Sequence, residues 1–207
     1  MAFSNYGQLK AEINKKLFHE RFLSDYDSFT TTFELAANRR LRVRQMEAVA
    51  NLTTTNGEVT LPSDYLVWRT IKPSAAATRW PWDELDYVHP AYLPPTTAST
   101  GSVPRLFTIE GSLLRTRPVD DVNAYEFHYY RQIPSLAGNN SNDNWLLLEY
   151  PDAYLFGLMT EAAAHGRNTE MAQLYKSRRD EVFAEITQLS ALTTGATSPS
   201  VRTAEYF

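Results

Sequence analysis

The sequence predicts an α+β fold: a helical bundle built from N- and C-terminal helices, an inserted antiparallel β-rich lobe, and an extended C-terminal arm. Three observations predict it. Apolar residues recur at helical spacing before residue 46 and again after residue 144. Between these stretches the apolar period falls to two, punctuated by turn dipeptides. Past residue 190 a run of small polar residues separates the last helix from two terminal aromatics. The expected organisation is a helical core of residues 1–45 and 144–190, an inserted lobe of 46–143, and an arm of 191–207.

The first helix is expected to start at Asn5, because Asn5 and Gln8 have the spacing of an N-cap and its N3 partner. Tyr6, Leu9, Ile13 and Leu17 then form one apolar stripe, with Lys10, Lys15 and Lys16 as its solvated flank. A second helix is expected from Asp25, carrying Tyr26, Phe29, Phe33, Ala36, Ala37 and Leu41. Its end holds Arg39, Arg40, Arg42 and Arg44.

From Met46 the pattern alternates through Ala48, Ala50 and Leu52, as in a half-buried strand. Asn56-Gly57 predicts a two-residue hairpin, with Val59 and Leu61 on the returning strand and Pro62-Ser63-Asp64 closing it. Residues 65–71 read as a strand or a short helix. Residues 106–117, turning at Glu110-Gly111-Ser112, read as a second hairpin, and 125–131 as a strand with Tyr125, Phe127 and Tyr129 on one face. The segment 94–101 is loop by composition, and 137–143 is a polar link back to the helices.

The return to helix is marked by the run 144–157. Pro151 suits a first helical turn and Asp152 complements the helix dipole. Gly166 is the expected C′ stop. Asn168 then caps a last helix carrying Met171, Leu174, Tyr175, Val182, Phe183, Ile186 and Leu189.

With 207 residues, 43% hydrophobic and 21% charged, the chain has the composition of a globular protein with one substantial core or two small ones. Its net charge of −4 argues against binding nucleic acid through bulk charge. Without cysteine there is no disulfide, thiolate zinc site or cysteine nucleophile. No apolar run reaches the roughly 18 residues of a membrane span, and no membrane partner is expected. Residues 1–5 lack a basic and an apolar leader region, so secretion by signal peptide is not expected.

No catalytic, cofactor-binding or metal-ligating set emerges. His19, His89, His128 and His165 lack zinc-ligand spacing, and no nucleophile elbow, phosphate loop or dinucleotide glycine pattern occurs. Asp25 and Asp27 lack the rest of a calcium loop. Asp83, Glu84 and Asp86, or Asp120 and Asp121, read as surface or turn residues rather than half of a catalytic pair.

Three features point instead to contacts. The arginine cluster exceeds what a helix end needs; beside that dipole role it is a candidate for a subunit or partner contact, or for a channel-facing DNA contact. Trp68, Trp80, Trp82, Tyr87, Tyr92, Tyr129 and Tyr130 read mostly as packing, but Trp80-Pro81-Trp82 is hard to place in a core and suits an interface. The terminus, with Val201, Arg202, Tyr206 and Phe207, reads either as a frayed end or as an arm that orders on a partner.

The chain resembles the head-to-tail adaptor (connector) proteins of tailed bacteriophages, including the tubular tail adaptors of short-tailed phages. The resemblance is carried by residues 34–47 around Asn38-Arg39-Arg40-Leu41-Arg42-Val43-Arg44 and by Leu61-Pro62-Ser63-Asp64-Tyr65-Leu66. It continues through 104–111, Tyr129-Tyr130-Arg131-Gln132-Ile133-Pro134, Asn144-Trp145-Leu146-Leu147 and 151–157. These pieces stand in the family's order and cover most of residues 6–190. The resemblance implies a non-enzymatic virion protein without cofactors, assembled in the host cytoplasm and located at the head–tail junction. It implies a ring, usually a dodecamer, beneath the portal protein, extending the channel for genomic DNA and docking tail or nozzle proteins. C-terminal arms of such rings commonly reach onto the portal. A stopper or tail-completion protein of the virion neck is the nearest alternative, and a nucleic-acid-binding module using the arginines a more distant one.

Overall fold

In a computed structural model the described residues are 3–17, 25–74, 84–95, 104–119 and 124–193. They divide into two compact units, Met1–Met46 with Ile133–Phe207, and Glu47–Gln132. The combination of helices with antiparallel and mixed sheets is α+β.

The first unit is helical: α1 (Tyr6–Leu17), α2 (Tyr26–Arg40), α3 (Trp145–Glu149), α4 (Pro151–His165) and α5 (Thr169–Thr193). Asn5 starts α1 by accepting from the Gln8 N–H at 3.0 Å, while the Gln8 side chain accepts from Ser4 N–H at 2.9 Å, a capping box displaced by one residue. Tyr6, Leu9 and Ile13 are fully buried; the side chain of Leu17 lies outside the described residues. Tyr26, Phe29, Phe33, Ala37 and Leu41 make the buried face of α2. Asp25 stands at its N-cap position without a capping side-chain bond. The Tyr6 hydroxyl meets Thr30 Oγ1 at 2.8 Å and Asp27 Oδ1 at 3.0 Å, and the Tyr26 hydroxyl donates to Asn14 Oδ1 at 2.6 Å, so both ends of the α1–α2 contact are satisfied.

Helix α4 is central and packs on α1, α2, α3 and α5. Its buried residues, from Ala153 to Ala163, go around the helix rather than along a single stripe, as a helix enclosed by others requires. Gly157 is the contact point with α2. A Cβ there would lie 2.1 Å from Phe33 Cδ2, so only glycine admits the ring. Helix α4 starts at Pro151 as expected, with Asp152 in its first turn, and a separate short helix, α3, precedes it, capped by Asn144, which accepts from Leu147 N–H at 2.9 Å.

The stop of α4 differs from expectation. Gly166 is the C-cap with an ordinary φ of −72°, and Arg167 takes the left-handed conformation at φ 57°. The Asn168 N–H donates to Ala163 O at 2.9 Å and the Arg167 N–H to Ala164 O at 3.0 Å, which is a Schellman closure. Asn168 does cap α5, through Met171 N–H at 3.1 Å. Only Val182, Phe183 and Ile186 of the apolar set on that helix are buried; Met171, Leu174 and Leu189 are exposed. The helix runs to Thr193, so residues 191–193, expected in the arm, are helical.

The second unit holds seven strands among the described residues: β1 (Glu47–Thr53), β2 (Glu58–Thr60), β3 (Tyr65–Pro73), β4 (Asp86–Tyr87), β5 (Leu106–Glu110), β6 (Leu113–Arg117) and β7 (Ala124–Arg131). They form a three-stranded antiparallel sheet, β1-β7-β3, and a four-stranded sheet, β2-β6-β5-β4, in which β4 runs parallel to β5. Residues 65–71 are strand, and 106–117 form the expected hairpin about Gly111.

The Asn56-Gly57 turn has φ values of 54° and 73°, both left-handed, and Thr55 and Glu58 exchange backbone bonds of 2.9 and 3.1 Å across it. The hairpin ends there. β1 leaves to pair with β7, and β2 with β6. The turn dictates one reversal; the burial of the flanking side chains decides the longer pairings. The core joins both sheets through Leu52, Ile71, Phe107, Leu114, Tyr125 and Phe127. Trp68 stacks on Tyr87 at 5.6 Å and meets Phe107 edge-on at 5.1 Å, so these aromatics pack together; Tyr92 is 79% exposed. Trp80-Pro81-Trp82 lies outside the described residues.

Candidate interface residues

The four arginines follow directly from the end of α2, yet the structure gives them different roles. Arg40 reaches α5 and ion-pairs with Asp180 at 2.5 Å, where Arg179 also bonds the same carboxylate at 2.8 and 3.0 Å. Burial alone raises the Asp180 pKa, but the two guanidinium groups outweigh it and hold the carboxyl below its ordinary value. Arg42 folds back on its own helix and donates to the carbonyls of Asn38 and Leu41, closing the helix end. Arg39 and Arg44 are exposed and make no ion pair among the described residues; the Arg44 N–H donates to Ser190 Oγ at 3.3 Å. The cluster is therefore two internal struts and two outward cations.

Glu34 and Asn38 are a buried polar pair that periodicity does not reveal. Both sit on the buried face of α2, 5% and 8% exposed. Asn38 Oδ1 accepts from Ile133 N–H at 2.9 Å, and Glu34 Oε1 from Leu136 N–H at 2.8 Å. The Tyr154 hydroxyl adds a bond to Glu34 Oε1 at 3.0 Å, and the Asn144 amide donates to Tyr154 Oη at 2.6 Å and to Pro134 O at 2.7 Å. The segment 133–136 is thus locked to the helical unit, which takes in residues 133–143 that the sequence assigns to the lobe. Burial raises the Glu34 pKa, against the bonds from Ser135, Leu136 and Tyr154 that favour the anion. Burial likewise drives the Tyr154 hydroxyl well above its ordinary value.

A groove of about 420 Å³ opens on the same unit, with Phe3, Leu155 and Val182 as an apolar floor and Glu149, Asp152 and Glu185 as acidic walls. Burial raises the Tyr150 pKa beside it, with Glu149 and Glu185 adding to the shift.

The remaining sequence candidates are dispersed. Glu84 pairs with Lys72 at 3.2 Å and Asp86 lies in β4; Asp83, Asp120 and Asp121 lie outside the described residues. His89 Nδ1 accepts from Ala91 N–H at 3.2 Å, His128 is 4.0 Å from Glu126, His165 packs on Phe29, and His19 is outside the described residues. No group of three or more metal-ligating side chains converges among the described residues, and no described helix is long and apolar enough to cross a membrane. The proposed arm residues Val201, Arg202, Tyr206 and Phe207 lie outside the described residues.

No curated protein matches the chain. A family model described as SU10 adaptor protein matches residues 4–203, a span that takes in both structural units. The chain therefore belongs to the SU10 adaptor protein family, a family of phage head–tail adaptors.

Proposed function

We propose that this structural phage adaptor forms a ring, usually a dodecamer, between the portal and the tail, extending the DNA channel and docking tail components. The observation that carries the reading is the family match over residues 4–203. The family is a structural rather than an enzymatic class. In this reading neighbouring subunits share contacts of the helix end and of the β-rich lobe. Arg39 and Arg44, which are exposed and make no ion pair among the described residues, contribute to the contact between subunits or to the channel wall. Arg40 and Arg42 support them from within by fixing α2 on α5 and closing its end.

The arm beyond Thr193 attaches each subunit to the portal, with Val201, Arg202, Tyr206 and Phe207 as its anchors. A single short arm binds weakly, since ordering its residues costs about 1–2 kcal/mol each in backbone entropy. Repetition around a symmetric ring makes attachment effectively intramolecular after the first arm docks. Deleting residues 197–207 tests this: the truncated chain should fold with unchanged circular dichroism and fail to join portal rings. Normal joining by the truncated chain would refute the arm's role.

A further inference from the structure

We propose that an exposed stripe along α5, flanking its buried face, is a self-association surface on which two copies of the free chain pair antiparallel. The helix carries two faces. Arg179, Val182, Phe183 and Ile186 are buried. On another side Met171, Leu174, Arg178, Glu185, Leu189 and Leu192 fall within one narrow sector at 3.6 residues per turn. The four apolar members are 37%, 50%, 43% and 61% exposed, and Arg178 and Glu185 are exposed as well.

The order of these residues identifies the occupant. Their intervals are three, four, seven, four and three residues, the same in both directions. A two-fold pair of antiparallel helices places each residue against the one equidistant from the centre. Met171 then meets the partner's Leu192, Leu174 meets the partner's Leu189, and Arg178 meets the partner's Glu185. Apolar side chains face apolar ones at both ends, and opposite charges face each other in the middle. A parallel pair in register would set Arg178 against its own copy and Glu185 against its own copy, which is repulsive. Glu185 has no ion pair among the described residues, and the bond from Arg178 to Glu181 is long, 3.4 Å, and solvated at both ends. Such an exposed pair is weak and readily shared with a second carboxylate. The stripe is about 30 Å long, enough for a small, reversible interface.

Leu189 shares a cleft with Arg44, but Leu174 and Arg178 lie outside it, and the pair uses neither Arg39 nor residues 197–207, so substitutions at Leu174 and Arg178 test it separately from the ring. Sedimentation equilibrium of the full chain without portal, over a wide concentration range, tests it. A monomer–dimer equilibrium is expected. Leu174→Glu should abolish the dimer while leaving the circular dichroism unchanged. Arg178→Glu and Glu185→Arg should each weaken it about tenfold, as two ion pairs turn repulsive together. The double variant should regain most of the wild-type affinity. A chain that stays monomeric throughout, a dimer indifferent to Leu174→Glu, or a double variant no better than the singles would overturn the proposal. So would a monomeric chain whose Leu174→Glu variant loses portal attachment, which would assign the face to the portal.

Discussion

Replacing Gly157 by alanine should destabilise the helical unit, against the expectation from helix propensity. Gly157 lies inside α4, where alanine is favoured over glycine by about 1 kcal/mol. The space is already filled. An added Cβ would sit 2.1, 2.3 and 2.9 Å from Cδ2, Cε2 and Cγ of Phe33. Carbon atoms pack at about 3.5–4.0 Å, so the ring has to retreat by about 1.5 Å. It has nowhere to go: Phe33 is fully buried, with the Tyr154 ring 4.7 Å away and the Phe183 ring 6.0 Å away. Overpacking of this kind costs typically 1–3 kcal/mol and occasionally more. Taking the upper part of that range and subtracting the propensity gain leaves a net loss of about 2 kcal/mol. For a domain of this size that lowers Tm by about 4–8 °C. Thermal unfolding followed by circular dichroism at 222 nm reads it. Phe33→Leu in the Gly157→Ala background should recover part of the loss, giving a coupling of opposite sign to the single effects. A Gly157→Ala chain as stable as wild type, or more stable, would show that the Phe33 ring does not rest on Gly157.

Other substitutions separate the roles assigned above. Asn144→Ala removes the cap on α3 and two donor bonds in the buried network, and should cost about 2–3 kcal/mol in urea unfolding. Arg39→Glu with Arg44→Glu should leave stability within about 0.5 kcal/mol, because both are exposed, while abolishing ring formation on the portal; intact rings would remove both residues from the interface. Glu34→Gln tests the buried carboxyl through pH. The folded chain holds this proton more tightly than the unfolded chain, so wild-type stability from this group is full below about pH 4.5 and is lost as pH rises through the higher folded value. The glutamine keeps the acceptor and cannot ionise, so its stability relative to wild type should climb across that window and then level off. A difference that stays constant from pH 4 to 8 would refute the assignment.

Local chemistry in this chain is written in local residues, and that part was legible. Asn5, Pro151 and Asn168 mark helix starts by side-chain type and spacing alone, and the alternation of Tyr125, Phe127 and Tyr129 is visible without partners. Asn56-Gly57 shows where such reading ends. The dipeptide specifies a left-handed turn, but nothing within it says that β1 and β2 part after one pair to join different sheets. Glu34 and Asn38 were unreadable for a related reason. Polar residues on an apolar helix face look like misfits until their partners appear, and those are backbone N–H groups 102 and 95 residues away. Met171, Leu174 and Leu189 fit the helical period of α5 as well as Val182 does, because periodicity reports a face and not what covers it. The arginine cluster was visible as a cluster; its division into struts and outward cations depends on Asp180, in a helix far along the chain.

In the proposed function this adaptor adds a ring to the portal. Electron microscopy of the purified chain mixed with its portal tests that most directly. The expected result is a coaxial ring of additional density beneath the portal, continuous with its channel. Portals that remain bare at saturating adaptor, or adaptor bound at scattered sites without a ring, would contradict it.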